Sequence, residues 1–380
     1  MRRAWHPDRR ARAPATVGQL RHAAPAVALL WVPVVIAVWA ELPGASDLER
    51  GVPMLRAMLL AGLAPLLVAV GMERLRAGNL WGAGQALWSK GWLTERPIRH
   101  VLMSVSLAAF FWAFGSWKSA IPLMHPFQWD EPLRSAEAWL HGVQPDILLA
   151  PVFGSPGSII ALDRLYETWW FAQFGLLLWQ VWQPDLAAAK RFLLAYALMW
   201  IVLGIFMATG FSSAGPCYAG LLTGTHHYDE LLIRLQAADA VAPLTALRAQ
   251  AFLWTAHLHG TVPPGGGISA FPSLHVAGAM LLALALQQRS RTLGLLGWTY
   301  MVLVWIASIM LGWHYALDGY VAVLGTGVCW VAAGWLTTPI PQPLVPIWRI
   351  VPQTEPIPDL VEEQVVTRGG AGRQSWSMWP

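Results

Sequence analysis

The sequence predicts an all-α fold, a polytopic membrane bundle of about eight transmembrane helices, on the evidence of its composition, its long apolar stretches and its tryptophans. Of the 380 residues, 56% are hydrophobic and only 12% are charged, whereas soluble domains carry about 25% charged residues. Several stretches reach the roughly 17 to 25 apolar residues that a helix needs to cross a bilayer. Many of the 24 tryptophans lie near the ends of these stretches, as expected for aromatic belts at membrane surfaces.

Eight apolar stretches are predicted to cross the membrane, with boundaries placed to within about two to four residues. They are 24–42, 54–72, 100–117, 165–182, 191–209, 272–288, 294–311 and 320–338. The chain is thereby divided into an N-terminal cytoplasmic arm with two accessory spans (1–99), a main membrane domain that holds the candidate catalytic residues (100–338), and a proline-rich cytoplasmic tail (339–380).

The positions of Lys and Arg predict the orientation, because basic loops are retained in the cytoplasm. With the N-terminus inside, most basic residues, such as Arg74, Arg76 and Lys190, fall in cytoplasmic segments. Both termini are then cytoplasmic. The formal net charge of +4 is spread over these loops and forms no single patch, so no nucleic-acid partner is predicted.

Two outer loops, 118–164 and 210–271, are far longer than a connection requires, which is typical of lids and binding elements. The first is too apolar for a solvated loop and is predicted to be interfacial or re-entrant. The second contains a predicted helical stretch over about 229–254. This stretch is interpreted either as an amphipathic helix on the membrane surface or as a cap over a lipid-binding cleft.

The first candidate catalytic residue is His275, which follows Pro272-Ser273-Leu274 at the start of the sixth predicted span. In the first turn of a helix, free N–H groups and the helix dipole favour a bound phosphate. Ser269 and Ser273 supply nearby hydroxyl groups and are candidate substrate-binding residues. An alternative is that one of these serines caps the helix and that His275 is incidental.

The second candidate element is the pair His314 and Asp318, between the seventh and eighth predicted spans. A helix that begins near Trp313 would place both side chains on one face, where the carboxylate can orient the imidazole. Such a dyad is what an activated nucleophile requires. An interfacial hydrogen bond of purely structural value is the alternative. The predicted orientation places His275, His314 and Asp318 together on the extracytoplasmic side.

Pro272-Ser273-Leu274-His275 followed by His314-xxx-Asp318 resembles the signature of the type 2 phosphatidic acid phosphatase superfamily, which contains lipid phosphatases and phosphotransferases. Residues 271–276 and Trp313-His314-Tyr315 are similar to its inositolphosphotransferase branch, which includes inositol phosphorylceramide synthases. The resemblance implies a six-helix catalytic core and chemistry without a metal or other cofactor. It also makes Tyr315 a candidate substrate-binding residue.

The sequence departs from the superfamily pattern before the second histidine, where a Ser-Arg pair is replaced by Ala307 and Ser308. A cation is still expected to neutralise the phosphate. Lys118, at the outer end of the third predicted span, is the first choice, and Arg248 is a second candidate substrate-binding residue. The other basic residues of the outer loops are Arg134, Arg164 and Arg234.

The resulting hypothesis is a membrane enzyme in which His314, oriented by Asp318, attacks a lipid-linked phosphoester and His275 protonates the leaving oxygen. The donor is a phospholipid or a polyprenyl phosphate. The acceptor is water in a phosphatase, and an alcohol or lipid in a phosphotransferase. A non-catalytic lipid-binding protein or transporter is the alternative. The rich use of Ala, Gly, Pro, Arg and Trp favours a bacterial inner membrane with the site on the periplasmic side.

Overall fold

The computed structural model describes residues 16–90, 92–93, 95–263 and 266–338, and this part of the chain is helical with no strand. The predicted all-α class is therefore confirmed. The helices are α1 (Thr16–Trp39), α2 (Val52–Ala61), α3 (Leu63–Ala77), α4 (Leu80–Ser89), α5 (Glu95–Met124), α6 (Asp130–His141), α7 (Pro145–Phe153), α8 (Pro156–Trp182), α9 (Leu186–Ile201), α10 (Ala208–Gly210), α11 (Pro216–Thr223), α12 (Asp229–Val241), α13 (Thr245–Leu258), α14 (Leu274–Gln287), α15 (Arg291–Met310) and α16 (Ala316–Thr337).

Five helical segments among the described residues are long and apolar enough to cross a membrane. They are Val52–Ala77, Arg96–Met124, Leu186–Gly210, Arg291–Met310 and Ala316–Thr337. A sixth is obtained if α7 and α8, which meet at an angle of 107°, count as one broken span. Ala24–Trp39 and Leu274–Gln287 are apolar but shorter. Each of the eight predicted stretches thus lies on a helix, while the count of eight spans stays a prediction.

The helices that carry the candidate residues form the centre of the bundle. Helix α14 packs along α15, and α16 packs along α9. The contact between α14 and α15 depends on Gly297, because a Cβ there would lie 2.6 Å from the Cα of Ala283. Small residues of this kind let membrane helices approach closely. In contrast, α2 and α3 expose most of their apolar side chains, only 11% of their most apolar window being buried, so they form the periphery of the bundle.

The two long outer loops are largely helical. The first begins later than predicted, because α5 continues past the expected end at 117 to Met124, and it contains α6 and α7. The sharp bend between α7 and α8 fits the re-entrant interpretation of this loop. The second loop contains α11, α12 and α13, so the predicted helical stretch is present as two helices. The proposed tail at 339–380 lies outside the described residues.

Candidate active site

His275 lies in the first turn of α14, as predicted. Ser273 is the N-cap of this helix, and its hydroxyl oxygen accepts the N–H of Val276 at 3.4 Å. Two aromatic rings of α8 hold the imidazole: Tyr166 stacks on it with ring centroids 4.5 Å apart, and Trp169 lies at the same distance. The Trp169 indole N–H also donates to the His275 carbonyl at 2.8 Å. The orientation of His275 is thus fixed from α8.

His314 and Asp318 form the predicted pair by a different local structure. Helix α16 begins at Ala316 and not near Trp313, because the chain turns at Gly312 in the left-handed region (φ 76°) after α15 ends. His314 therefore lies in the loop. Its Nδ1 is 3.1 Å from Oδ2 of Asp318, and the same oxygen accepts the Tyr315 N–H at 3.0 Å. The same carboxylate oxygen of Asp318 thus caps the start of α16 and orients the His314 imidazole.

The two histidines face each other with ring centroids 5.9 Å apart. A main-chain hydrogen bond joins their elements, since the Ser273 N–H donates to the Asp318 carbonyl at 3.2 Å. Both histidines therefore sit at the same end of neighbouring helices and can act on one bound group. The sequence predicted this proximity only through the predicted membrane orientation of the helices, because no local pattern relates residues so far apart in the chain.

A buried carboxylate, Asp130 at the start of α6, supports the loop that carries His314. It accepts the Gly215 N–H at 2.8 Å, the Ala214 N–H at 2.9 Å and the Tyr315 hydroxyl at 3.0 Å. Gly215 has φ 99°, and a Cβ there would lie 2.6 Å from the Trp313 carbonyl oxygen. Only glycine fits this position. The segment before α11 therefore packs directly behind the His314 loop.

The histidines line a cleft of about 270 Å³. Its polar wall includes Lys118, Glu167 and Ser269, and its walls are otherwise mostly aromatic or apolar. The described residues lining it also include Phe114, Tyr166, Trp169, Trp170, Trp200, Gly204, Tyr218, Phe252, Leu274 and Trp313. A concave, mainly apolar cleft with a few convergent polar groups is the usual form of a small-molecule site.

Lys118 is the one Lys or Arg among the described residues that lines this cleft. Gly266 (φ 97°) packs against its side chain, since a Cβ there would lie 3.1 Å from the Lys118 Cβ. The remaining outer cations have other positions. Arg134 pairs with Glu131, Arg234 pairs with Asp146, and Arg164 binds the Pro243 carbonyl. Arg248 is exposed on α13 and does not line the cleft.

The other predicted binding residues are divided between the cleft and the protein interior. Ser269 lines the cleft. Ser273 and Tyr315 are buried, with relative exposures of 0% and 1%, and neither lines the cleft. Their hydroxyl groups are used internally, in the α14 cap and in the bond to Asp130. Their position therefore favours a role in shaping the site.

Burial sets the protonation state of His314. The side chain is removed from solvent, and this desolvation, with a smaller effect from the positive charge of Lys118, lowers the pKa of His314 to about 3. The imidazole is therefore neutral at physiological pH. Because an ionised carboxylate only accepts hydrogen bonds, we assign the ring proton to Nδ1 of His314, which then donates a hydrogen bond to Asp318. With this assignment the lone pair of the neutral ring lies on the other nitrogen, Nε2.

Glu137 on α6 is a second buried carboxyl group next to the site, and the sequence patterns did not identify it. Its Oε2 accepts the Ala316 N–H at 2.8 Å, at the start of α16, and its Oε1 lies 3.4 Å from the Tyr228 hydroxyl. Burial raises the pKa of Glu137 to about 8. The sequence signal that could have identified Asp130 and Glu137 is the presence of charged residues in an otherwise apolar loop. Tyr166 and Trp169, by contrast, gave no signal that distinguished them from membrane-belt aromatics.

Comparison with known families gives one match, the model of the PAP2 superfamily, over residues 131–333. This is more than half of the chain, and it includes every element around the cleft except the Lys118 end of α5 and the first residue of α6. The chain belongs to the PAP2 superfamily. The superfamily resemblance is thereby confirmed, and with it a phosphatase or phosphotransferase class of activity. No curated protein and no solved structure matches the chain.

Proposed function

We propose that this PAP2 superfamily member is an integral membrane enzyme that cleaves a lipid-linked phosphoester through a phosphohistidine intermediate. The observation that carries the proposal is the buried His314–Asp318 hydrogen bond, which faces His275 across one cleft. A nucleophile oriented by a carboxylate, with a second proton-transfer group within a few ångströms, is the arrangement that covalent catalysis needs. Lys118 supplies the positive charge that a phosphoryl group requires.

The reaction has two steps. The Nε2 lone pair of neutral His314 attacks phosphorus, the bond from phosphorus to the leaving oxygen breaks, and His275, acting as the general acid, gives a proton to that oxygen. Water or an alcohol then attacks phosphorus, the P–N bond breaks, and His275 takes up the proton of the attacking hydroxyl. Asp318 stabilises the positive charge that develops on the His314 ring in the first step.

The shape of the cleft supports a lipid substrate. Helix α9 continues into a π-helical segment, Val202–Met207, and its Gly204 lines the cleft next to Phe114 and Leu274. A π-helical turn of this kind is frequent at functional sites. A lipid can therefore place its phosphate at the two histidines and an acyl chain against Gly204, Phe114 and Leu274.

We place the chain in the inositolphosphotransferase branch, with a phospholipid or polyprenyl phosphate as donor and an alcohol or lipid as acceptor. The amino-acid sequences of the two motifs, at 271–276 and 313–315, support this placement. The aromatic walls around His275, formed by Tyr166, Trp169 and Trp170, also support transfer because they limit the access of water to the phosphorylated histidine. The site faces the extracytoplasmic side, which in a bacterial inner membrane is the periplasm.

The decisive experiment uses purified full-length protein and phospholipid labelled in its phosphate. His314→Ala is expected to reduce turnover by at least about 10³-fold and to abolish the base-stable, acid-labile label on the protein, because the nucleophile is lost. The matched control is His226→Ala, which removes an exposed histidine that also contacts an aspartate, Asp229, at 2.8 Å. His226 lies outside the cleft, so normal turnover is expected.

The same assay separates the alternatives. Release of free headgroup phosphate indicates hydrolysis, and label on an added alcohol indicates transfer. A folded His314→Ala protein that retains substantial turnover would contradict the assignment of the nucleophile. A wild-type protein that binds lipid but never acquires label would instead favour a non-catalytic lipid-binding protein or transporter.

A further inference from the structure

Among the described residues that line the cleft, one is acidic, Glu167, and the proposed reaction does not explain its role. Glu167 lies on α8 and lines the cleft. No hydrogen bond or ion pair to it is found among the described residues. Its helical neighbour Arg164 is engaged elsewhere, with the Pro243 carbonyl at 2.9 Å and the Thr245 hydroxyl at 3.3 Å. An unpaired carboxylate in a site for an anionic phosphate needs a reason, because it repels that anion.

The position of Glu167 relates it to His275. The preceding residue, Tyr166, stacks on the His275 ring at 4.5 Å, and both Tyr166 and Glu167 line the cleft. Lys118 lies on a different helix, α5, so the carboxylate and the ammonium group extend from separate helices. Glu167, Lys118 and His314 line the same cleft, so a substrate whose phosphoryl group contacts Lys118 and His314 can place its headgroup against Glu167.

The surroundings of Glu167 suit an uncharged or cationic group. Trp170 lies one helical turn further along α8 and lines the same cleft, as does Phe252 of α13. At this position the carboxylate can accept charge-assisted hydrogen bonds from hydroxyl groups. The neighbouring aromatic faces can bind ammonium groups through cation–π contacts. A second phosphate or a carboxylate would be repelled at this position.

We propose that Glu167 is a specificity-determining residue that selects lipid phosphodiesters whose headgroup donates hydrogen bonds, through hydroxyl or ammonium groups, over phosphatidic acid. This inference rests on the proposed function for its assignment of the phosphoryl position. It adds the chemical class of the headgroup, which the histidine pair and Lys118 do not determine.

The test measures binding in the His314→Ala background, so that it does not depend on turnover. Short-chain phosphatidylinositol, phosphatidylglycerol, phosphatidylethanolamine and phosphatidic acid are titrated into the purified full-length protein in detergent, and Kd is obtained from the shift in Tm. At least one donor headgroup is expected to bind ten or more times more tightly than phosphatidic acid. Adding Glu167→Gln is expected to reduce this ratio at least fivefold, because the charge is lost while the side-chain shape is kept.

The control is Glu230→Gln, which changes an exposed carboxylate of α12 outside the cleft and is expected to leave the ratio unchanged. If Glu167→Gln weakens the binding of phosphatidylethanolamine alone, Glu167 recognises an ammonium group. If it weakens the binding of phosphatidylinositol and phosphatidylglycerol alone, Glu167 recognises hydroxyl groups. An unchanged ratio in Glu167→Gln, or no preference over phosphatidic acid in the parent protein, overturns the inference. If the protein with His314 intact selects headgroups but shows no turnover, the proposed function is overturned and this inference stands.

Discussion

Replacement of Asp318 by Asn tests whether the His314–Asp318 bond serves catalysis. In the structure, one carboxylate oxygen, Oδ2, accepts both the His314 Nδ1–H at 3.1 Å and the Tyr315 N–H at 3.0 Å. The Asn oxygen can keep the Tyr315 cap, so the start of α16 is expected to survive. What is lost is the negative charge opposite an imidazole that becomes positive as it attacks phosphorus.

The size of the effect follows from the kind of bond that is changed. A hydrogen bond to a charged group contributes about 1.5–3 kcal/mol, and each 1.36 kcal/mol corresponds to about tenfold in rate. Asp318→Asn is therefore expected to reduce kcat by roughly 10- to 150-fold. KM should change little, because the carboxylate acts through His314 and does not touch the substrate.

Steady-state kinetics with a labelled phospholipid, together with single-turnover measurement of the phosphohistidine, provides the assay. Asp229→Asn is the matched control, since Asp229 also contacts a histidine but is exposed and outside the cleft. The phosphorylation step itself should slow in Asp318→Asn and not in Asp229→Asn. A kcat within twofold of the wild-type value, in a protein with unchanged Tm, would refute the reasoning and make the pair structural.

Three further changes test other parts of the site. Lys118→Met is expected to lower kcat/KM by about 10- to 150-fold through loss of a charge-assisted contact to phosphate, while Arg248→Met, on an exposed side chain outside the cleft, should have less than a threefold effect; equal losses would place the clamp elsewhere. Gly204→Val should reduce activity on long-chain lipids more than on short-chain ones, because even a Cβ at this position lies 3.0 Å from Leu274, and an equal loss on both would argue against an acyl chain there. Burial raises the pKa of Glu137 from 4.5 to about 8, so its neutral form stabilises the fold fully below about pH 4.5 and this contribution is lost as pH rises through about 8. The Tm of the wild type should therefore fall between pH 5 and 8.5 by more than that of Glu137→Gln, and parallel curves would contradict the raised pKa.

The sequence predicted the helices and the proximity of the candidate catalytic residues better than it predicted how these residues are held. Apolar length was sufficient to locate every helix proposed as a span, because helix formation in a membrane depends on local composition. Charge distribution was sufficient to place His275 and His314 at the same ends of their helices. The start of α16 was predicted three residues early, because the turn at Gly312 depends on a left-handed backbone conformation that the local pattern does not require.

The supporting residues could not be predicted, because their roles arise only from long-range contacts. Tyr166 and Trp169 have the composition of an interfacial belt, yet they pack on His275, more than 100 residues later in the chain. Similarly, Ser273 and Tyr315 are next to or near the histidines in sequence, but their hydroxyl groups turn into the protein. Sequence proximity to a catalytic residue does not determine whether a side chain lines the cleft.

Buried carboxyl groups in the two long segments hold the starts of other helices. Asp163 of α8 accepts the Thr245 and Ala246 N–H groups at the start of α13, and Glu137 accepts the Ala316 N–H at the start of α16. The first N–H groups of a helix have no partner within the helix, so an acceptor from another helix can satisfy them. Each contact therefore fixes one helix start by a side chain from another helix. Because Glu137 and Asp318 both bind the start of α16, helix α6 and the loop that carries His314 are held by the same turn. A movement of α6 is therefore expected to shift His314 relative to His275.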